Sequence, residues 1–382
     1  MPWMKRMSES MSGKKSSRVY RTRLGRCQKL MSEKGIDIVF LAPGPNMYYI
    51  SGFREEPSER LLALIIPQSG DPEFIVPELY LEQVRSFSWV ESLVSWKDGE
   101  DQVALLSNTM RRIDKRQATI AVDTRMWSRF LVMLLAASPN ARYEDAGSVM
   151  YELRIRKSGQ EIELMDKAAE IADAAFTKII EECRAGMTEH EVAAKIIYEL
   201  RRLGADGVAF EPVVGSGPNS ALPHYRSGDR KLQRGDFVVL DYGCLYRGYN
   251  SDITRTIVIG TCDAEGEKVY SVVRSAQEEA YLRTLTGVEA QNVDKVARDV
   301  IENAGYGRFF IHRTGHGIGL EIHEEPYIVA GNSLKLAEGM TFSIEPGIYL
   351  PGQYGVRIED IVVMETEKAR RLNKCSRDLR IL

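Results

Sequence analysis

Asp241, Asp252, His316, Glu345 and Glu359 are the residues of this chain whose types and spacing most clearly imply chemistry. The first two lie in Phe237-Val-Val-Leu-Asp241-Tyr-Gly-Cys-Leu-Tyr-Arg-Gly-Tyr-Asn-Ser-Asp252-Ile-Thr-Arg-Thr-Ile-Val-Ile, two apolar, β-branched stretches joined by a short turn. A turn at Tyr246-Arg247 predicts that Asp241 faces Asp252. The second pair repeats the pattern, since Thr341–Tyr349 and Tyr354–Val363 flank Pro351-Gly352-Gln353, a three-residue turn that sets Glu345 opposite Glu359. Directly opposed hairpin residues share a face, with Cβ atoms roughly 4.5–5.5 Å apart. One acid in a strand is ordinarily a solvent-facing charge. Two opposed pairs in apolar strands are different, because buried like charges raise each other's pKa and cost several kcal/mol unless neutralised. Four carboxylates and one imidazole suit two divalent ions about 3.5–4 Å apart, and the oxygen-rich set favours Mn2+ or Co2+, with Zn2+ also able to bind.

The surrounding motifs fall in order across the C-terminal half: Asp241, Asp252-Ile-Thr-Arg-Thr, His312-Arg-Thr-Gly-His316-Gly-Ile-Gly-Leu-Glu-Ile-His323-Glu-Glu-Pro, Ile344-Glu345-Pro-Gly and Gly355-Val-Arg-Ile-Glu359-Asp. Together they resemble the proline-specific metallopeptidases of the creatinase/methionine aminopeptidase superfamily, the prolidases (Xaa-Pro dipeptidases) and Xaa-Pro aminopeptidases. The resemblance implies an α+β chain with a C-terminal pita-bread fold behind a smaller α/β creatinase-type domain. It implies Asp241 on one ion, His316 and Glu345 tied to the other ion and to proton handling, and Asp252 and Glu359 as bridges. By the same resemblance His224 contacts substrate and His323 binds near the scissile carbonyl, while His312, Tyr349 and Arg357 line the pocket. His224, His323, Glu345 and Arg357 are thus the expected catalytic group.

Histidine usage agrees, for four of the five histidines fall in these segments. The fifth, His190, follows Thr188 within a Thr188-x-x-Glu191 capping box and is expected to be solvated. Gly315, Gly317 and Gly319 argue against a helix carrying His312 and His316 as i, i+4 ligands. Nor does Gly315-His-Gly-Ile-Gly have the spacing of a dinucleotide loop.

A chain of 382 residues suggests two domains, and a net charge of −3 gives no electrostatic case for nucleic acid or membrane. Five scattered cysteines (27, 183, 244, 262 and 375) suit inert thiols in a reducing cytoplasm, with Cys244 a weak candidate for adventitious metal. Met1–Ser17 is polar and basic, without an apolar run of signal-peptide length, and no segment approaches about 20 apolar residues. A cytoplasmic location follows as an expectation. Residues 1–17 are expected to be a disordered tail, 18–150 the α/β domain and 151–382 the catalytic domain.

The α/β domain shows a basic helix near 18–34 and strands at Ile36–Leu41, Leu61–Ile66, Phe74–Val76 and Thr119–Val122. It holds no catalytic cluster and is expected to serve as a lid, dimerisation or specificity element. Beyond a hinge near Leu153–Lys157, a Ser158-x-x-Glu161 box precedes a helix with Leu164, Ala168, Ile171, Ala175 and Ile179 on its core face. Val192, Ile196, Leu200 and Leu203 mark the next helix. Helices at Glu265–Leu285 and Asn292–Ala304 follow the first acid hairpin, so that two helix pairs leading into acid-bearing strands hint at an internal duplication.

A prolyl bond lacks an N–H and carries a ring, so its enzyme must recognise that ring. Glu345 is expected to take the proton of the attacking water and pass it to the prolyl nitrogen, with His323 stabilising the oxyanion. The expected substrates are small peptides with proline second, dipeptides foremost, and the alternative is an aminopeptidase acting on longer Xaa-Pro-Yaa peptides. Arg357 and His224, or Arg54 or Arg60 in the first domain, are candidates to meet a free carboxylate. A methionine aminopeptidase fits the N-terminal domain less well, and metal-free creatinase-like chemistry would require lost ligands. A non-catalytic peptide- or protein-binding module is the reading from a different class. The resemblance also implies a homodimer.

Overall fold

The computed structural model describes residues 13–113 and 117–382. The chain divides into two compact units, Met1–Arg154 and Ile155–Leu382. Of the expected disordered tail, residues 1–12 lie outside the described residues, while Gly13–Ser17 begin the helix Gly13–Lys34 rather than preceding it.

In the first unit, β1 (Ile38–Leu41), β2 (Ala63–Pro67), β3 (Glu73–Pro77), β4 (Ser92–Trp96), β5 (Thr119–Val122) and β6 (Arg142–Asp145) form one sheet in the order β4-β3-β2-β1-β5-β6. The four strands expected from apolar runs are its centre, with β1 and β5 parallel and β1 and β2 antiparallel. The two missed strands are its edges. Neither carries a continuous apolar run: β4 reads Ser-Leu-Val-Ser-Trp, its apolar residues broken by Ser95, and β6 reads Arg-Tyr-Glu-Asp. An edge strand has one open side and needs no continuous apolar run.

The second unit opens with two capped helices, Gly159–Glu182 and Glu189–Arg202, each with both arms of its capping box formed. Ala168, Ile171, Ala175 and Ile179 of the first, and Val192, Ile196 and Leu200 of the second, share a core with the strands that follow. Those strands are β7 (Gly207–Val208), β8 (Val213–Ser216), β9 (Phe237–Tyr242), β10 (Cys244–Tyr246), β11 (Tyr249–Asn250) and β12 (Ile253–Val258). A second helix pair, Ala264–Leu282 and Ala290–Asn303, backs β13 (Gly315–Gly317), β14 (Glu324–Ile328), β15 (Thr341–Ile344), β16 (Gly347–Leu350), β17 (Tyr354–Arg357), β18 (Asp360–Met364) and β19 (Ala369–Arg371). The last strand, β20 (Arg380–Ile381), returns to pair with β12. The result is a four-stranded sheet, β20-β12-β9-β8, and a five-stranded sheet, β14-β13-β15-β18-β19, each backed by its own helices. They meet where Thr254 bridges to Glu359, whose N–H donates to the Thr254 carbonyl at 3.1 Å.

The registers of the two hairpins differ from expectation in one case. Leu350 pairs with Tyr354 and Ile344 with Asp360, so one register runs through the second hairpin and sets Glu345 opposite Glu359. In the first hairpin Tyr246 pairs with Tyr249 and Asp241 with Thr254. The turn is therefore Arg247-Gly248, one residue later than Tyr246-Arg247, and Asp241 does not face Asp252. Both acids still share a face, because Asp252, in the extended lead into β12, is two residues from Thr254. The shift arises because Arg247 takes φ of 48° beside Gly248 at 88°, the positive-φ pair that a two-residue I′ hairpin requires.

Candidate metal and catalytic centre

The acids converge at the seam between the two sheets. Asp252 at the mouth of β12, His316 on β13 and Glu359 between β17 and β18 place ligand atoms within 4.8 Å of one another, all buried. His316 Nε2 lies 3.4 Å from Glu345 Oε1 and 3.7 Å from Asp252 Oδ2. Its Nδ1 is 3.1 Å from the Gly317 carbonyl, which fixes the ring and leaves Nε2 toward the carboxylates. Asp241 stands apart from this compact group, held in a close ion pair by Arg357.

Close backbone packing builds this arrangement. A Cβ on Gly315 would fall 1.9 Å from the Ser343 carbonyl oxygen, and one on Gly243 would fall 1.8 Å from that of Ser251. Each half thus uses a glycine to bring an acid-bearing or histidine-bearing strand against its neighbour.

Like charges crowd the cluster. Burial, then the charges of Glu359, Asp241 and Glu345, push Asp252 well above the usual carboxylate range. Burial and the charges of Glu345 and Asp241 do the same to Glu359. Glu345 is raised to about 7, chiefly by burial, with the Arg357 charge opposing. Burial lowers His316 to about 3 and His312 to about 4, so both imidazoles are neutral near pH 7. Asp252 Oδ1 and Glu359 Oε1 are buried without a hydrogen-bond partner. Orphaned carboxylate oxygens beside a neutral imidazole are what divalent ions would satisfy, and the donor set fits them.

A second layer surrounds these groups. Arg357 donates from Nη1 to the Tyr349 hydroxyl at 2.9 Å and from Nε to Thr254 Oγ1 at 3.1 Å. The Tyr349 hydroxyl also lies 2.8 Å from His312 Nε2. Thr254 in turn donates to Glu359 Oε2 at 2.7 Å. His323 packs edge-on to His316 with ring centroids 4.2 Å apart. His224 is exposed, on the stretch following the turn Gly217–Ala221, and its charge is felt at both His312 and His323.

Other sequence expectations resolve simply. Cys244 is buried, with its thiol donating to the Ala168 carbonyl, and burial pushes it up to about 12. His190 is exposed and lies 3.2 Å from Asp229. Within the first unit Arg60 is held by Asp98 at 3.0 Å and Glu59 at 2.7 Å, while Arg54 faces Glu56 at 4.0 Å. Sequence reasoning gave no role to Thr254 or to the buried pair Lys157–Glu324, whose Nζ and Oε1 are 2.7 Å apart. Thr254 was findable, since strand alternation puts it on the Asp252 face; Lys157 and Glu324 are remote in sequence and leave no local signal.

Three buried carboxylate and imidazole groups, with Glu345 against the imidazole, at the seam of two similar half-domains fit a metal-dependent hydrolase. Residues 163–366 match Metallopeptidase family M24, and residues 23–156 match the Creatinase/Prolidase N-terminal domain. The chain is 40% identical to the Xaa-Pro dipeptidase of Pyrococcus furiosus over 94% of its own length and 99% of that protein's. A prolidase structure from Thermococcus sibiricus superposes with a TM-score of 0.92 at 41% identity, covering 95% of this chain and 99% of that one. A dipeptidase structure from Pyrococcus horikoshii OT3 gives 0.90 at 43% identity, over 94% and 100%. The chain belongs to metallopeptidase family M24, with a creatinase-type N-terminal domain ahead of a pita-bread catalytic domain. As a member it is a hydrolase that uses divalent metal ions.

Proposed function

We propose that the chain hydrolyses the bond preceding proline in Xaa-Pro dipeptides. The observation that carries this reading is the buried Asp252, His316 and Glu359 group with Glu345 against His316, in a chain similar along nearly its whole length to Xaa-Pro dipeptidases. Asp241, Asp252, His316, Glu345 and Glu359 would hold two divalent ions, Mn2+ or Co2+ before Zn2+. When bound, the ions polarise the scissile carbonyl and acidify water.

The protein's own groups then perform the proton work. Glu345 takes the proton of the attacking water at a carboxylate oxygen and delivers it to the prolyl nitrogen as the bond breaks. Burial lowers His323, which keeps it neutral at pH 7, and one ring N–H donates to the developing oxyanion. Arg357 holds Asp241 and Tyr349 in place, and His312 fixes the Tyr349 hydroxyl from the other side. His224 approaches the substrate from its exposed stretch. The free carboxylate is left to Arg357 or His224.

The active protein is proposed to be a homodimer in the cytoplasm; among the described residues no helix is long and apolar enough to cross a membrane. The domain assignment proposed is an N-terminal 18–150 and a catalytic 151–382. The deciding assay strips the protein of metal, restores Mn2+, Co2+ or Zn2+ separately, and compares an Xaa-Pro dipeptide with an Xaa-Pro-Yaa tripeptide. Cleavage of the dipeptide alone is expected. Preferred cleavage of the tripeptide would make the protein an aminopeptidase, and no cleavage with any ion would leave a binding module.

A further inference from the structure

Glu189 is fully buried at the first position of the helix Glu189–Arg202, yet it touches none of the proposed metal ligands. Its carboxylate accepts from five donors on one stretch of chain. Ser216 donates from its backbone N–H at 2.8 Å and its hydroxyl at 2.7 Å, Asn219 from Nδ2 at 3.0 Å, Tyr225 from its hydroxyl at 2.8 Å and Gly228 from its N–H at 3.2 Å. The helix N-terminus adds a favourable field for this negative charge.

That stretch, 216–228, carries His224. Its far side is pinned by Ser220, whose hydroxyl accepts from the Gly355 N–H at 2.8 Å, on the strand that also bears Arg357. The tip between these anchors has little apolar attachment, for Leu222 is 53% exposed and His224 is exposed as well. Where a segment lacks buried apolar contacts, its hydrogen bonds decide how well it is ordered. Five donors of this stretch converge on one carboxylate, beside local turn bonds and the anchors of Ser227 to Val214 and Pro212.

We propose that Glu189 is a positioning residue for hydrolysis, fixing the 216–228 stretch so that His224 is presented to substrate. The inference rests on the dipeptidase reading, in which His224 meets the substrate, and extends it to a group that touches neither substrate nor ion. Glu189→Gln keeps the size of the side chain but replaces one acceptor oxygen with a donor that confronts Tyr225 or Gly228. A supporting partner of this kind is worth roughly 10–100-fold in activity.

The test is a double-mutant cycle on the metal-loaded protein, with kcat/KM on an Xaa-Pro dipeptide measured for wild type, E189Q, H224A and the double variant. Metal content and hydrogen exchange over 216–228 are followed in parallel. E189Q is expected to lose roughly 10–100-fold at wild-type metal content, with faster exchange in 216–228, and to cost less than about 2-fold once His224 is absent. An equal loss in both backgrounds, or no loss at all, would overturn the proposal. Should E189Q fail to fold, Tyr225→Phe removes one of the five donors and is held to the same criterion, a loss that vanishes in the H224A background. Wild type inactive on every Xaa-Pro dipeptide would sink the dipeptidase reading itself. Exchange would then decide the remainder: release of 216–228 in E189Q supports the anchoring role, and unchanged exchange removes it.

Discussion

The two acid-bearing hairpins of the catalytic domain do similar work with different turns. The second closes through Pro351-Gly352-Gln353, with Gly352 at φ of 72°, and keeps a single register from Leu350 back to Ile344. The first closes through Arg247-Gly248 with an arginine at φ of 48°, and this moves every cross-strand partner by two residues from the pairing a Tyr246-Arg247 turn would give. Glu345 and Glu359 consequently confront each other, whereas Asp241 sits beside Arg357 and Asp252 is left to His316 and Glu359. A one-residue choice of turn thus separates the acid paired with an arginine from the acid left with an unpartnered oxygen.

The largest expected difference lies in chemistry. Glu345→Gln in the second hairpin should lower dipeptide turnover by about 1,000-fold while leaving the circular dichroism spectrum unchanged, since it removes the proton carrier. Residual turnover within tenfold of wild type would transfer that role elsewhere.

Next come the glycines that each half uses for close approach. Gly243→Ala and Gly315→Ala should each destabilise the fold by about 3 kcal/mol in urea unfolding, because the added methyl meets a backbone oxygen that cannot move aside. If only one is costly, the two halves are less alike than their packing indicates.

Proton linkage offers a third handle. Glu345 is raised from 4.5 to about 7, so its ionisation opposes folding of the metal-free protein, and that stability falls as pH rises from 4.5 through 7. His312 acts with the opposite sign: lowered from 6.5 to about 4, it costs stability as pH falls from 6.5 through 4. Ions replace protons at the acids, so the rise in Tm on adding Mn2+ should be small at pH 5 and larger at pH 7.5. Equal shifts at both pH values would contradict this assignment of charge.

The smallest effect belongs to the turns. Arg247→Asn should stabilise by about 0.5 kcal/mol, since asparagine tolerates positive φ better than arginine, and Gly352→Ala should destabilise by about 1 kcal/mol. Thermal unfolding would reveal both signs.

The same contrast explains what could be read from the sequence. Pro351-Gly352 announces its turn, and Ser158 and Thr188 announce their helices, because each acts within four residues of itself. Arg247 announces nothing, since its left-handed backbone is imposed by the strands around it. The central strands of the first unit show as apolar runs, while the edges, the serine-broken Ser92–Trp96 and the polar Arg142–Asp145, do not. The register that sets Asp241 opposite Thr254 rather than Asp252 was not legible, but the convergence of Asp252, His316, Glu345 and Glu359 was, from motif and spacing. Their supports were not: Thr188-x-x-Glu191 flags a cap but conceals that Glu189 inside it gathers donors up to 39 residues away. Long-range polar contacts have no period, and only the folded chain exposes them.

Asp252 Oδ1 and Glu359 Oε1, buried and unpartnered, reach beyond catalysis. Anything that binds only the folded state shifts the folding equilibrium toward it by mass action. The metal-free protein is therefore the form more often open to proteases, and small changes in stability translate into several-fold changes in steady-state abundance. Divalent ions held at these two oxygens would therefore lengthen the life of the folded molecule as well as supply its chemistry.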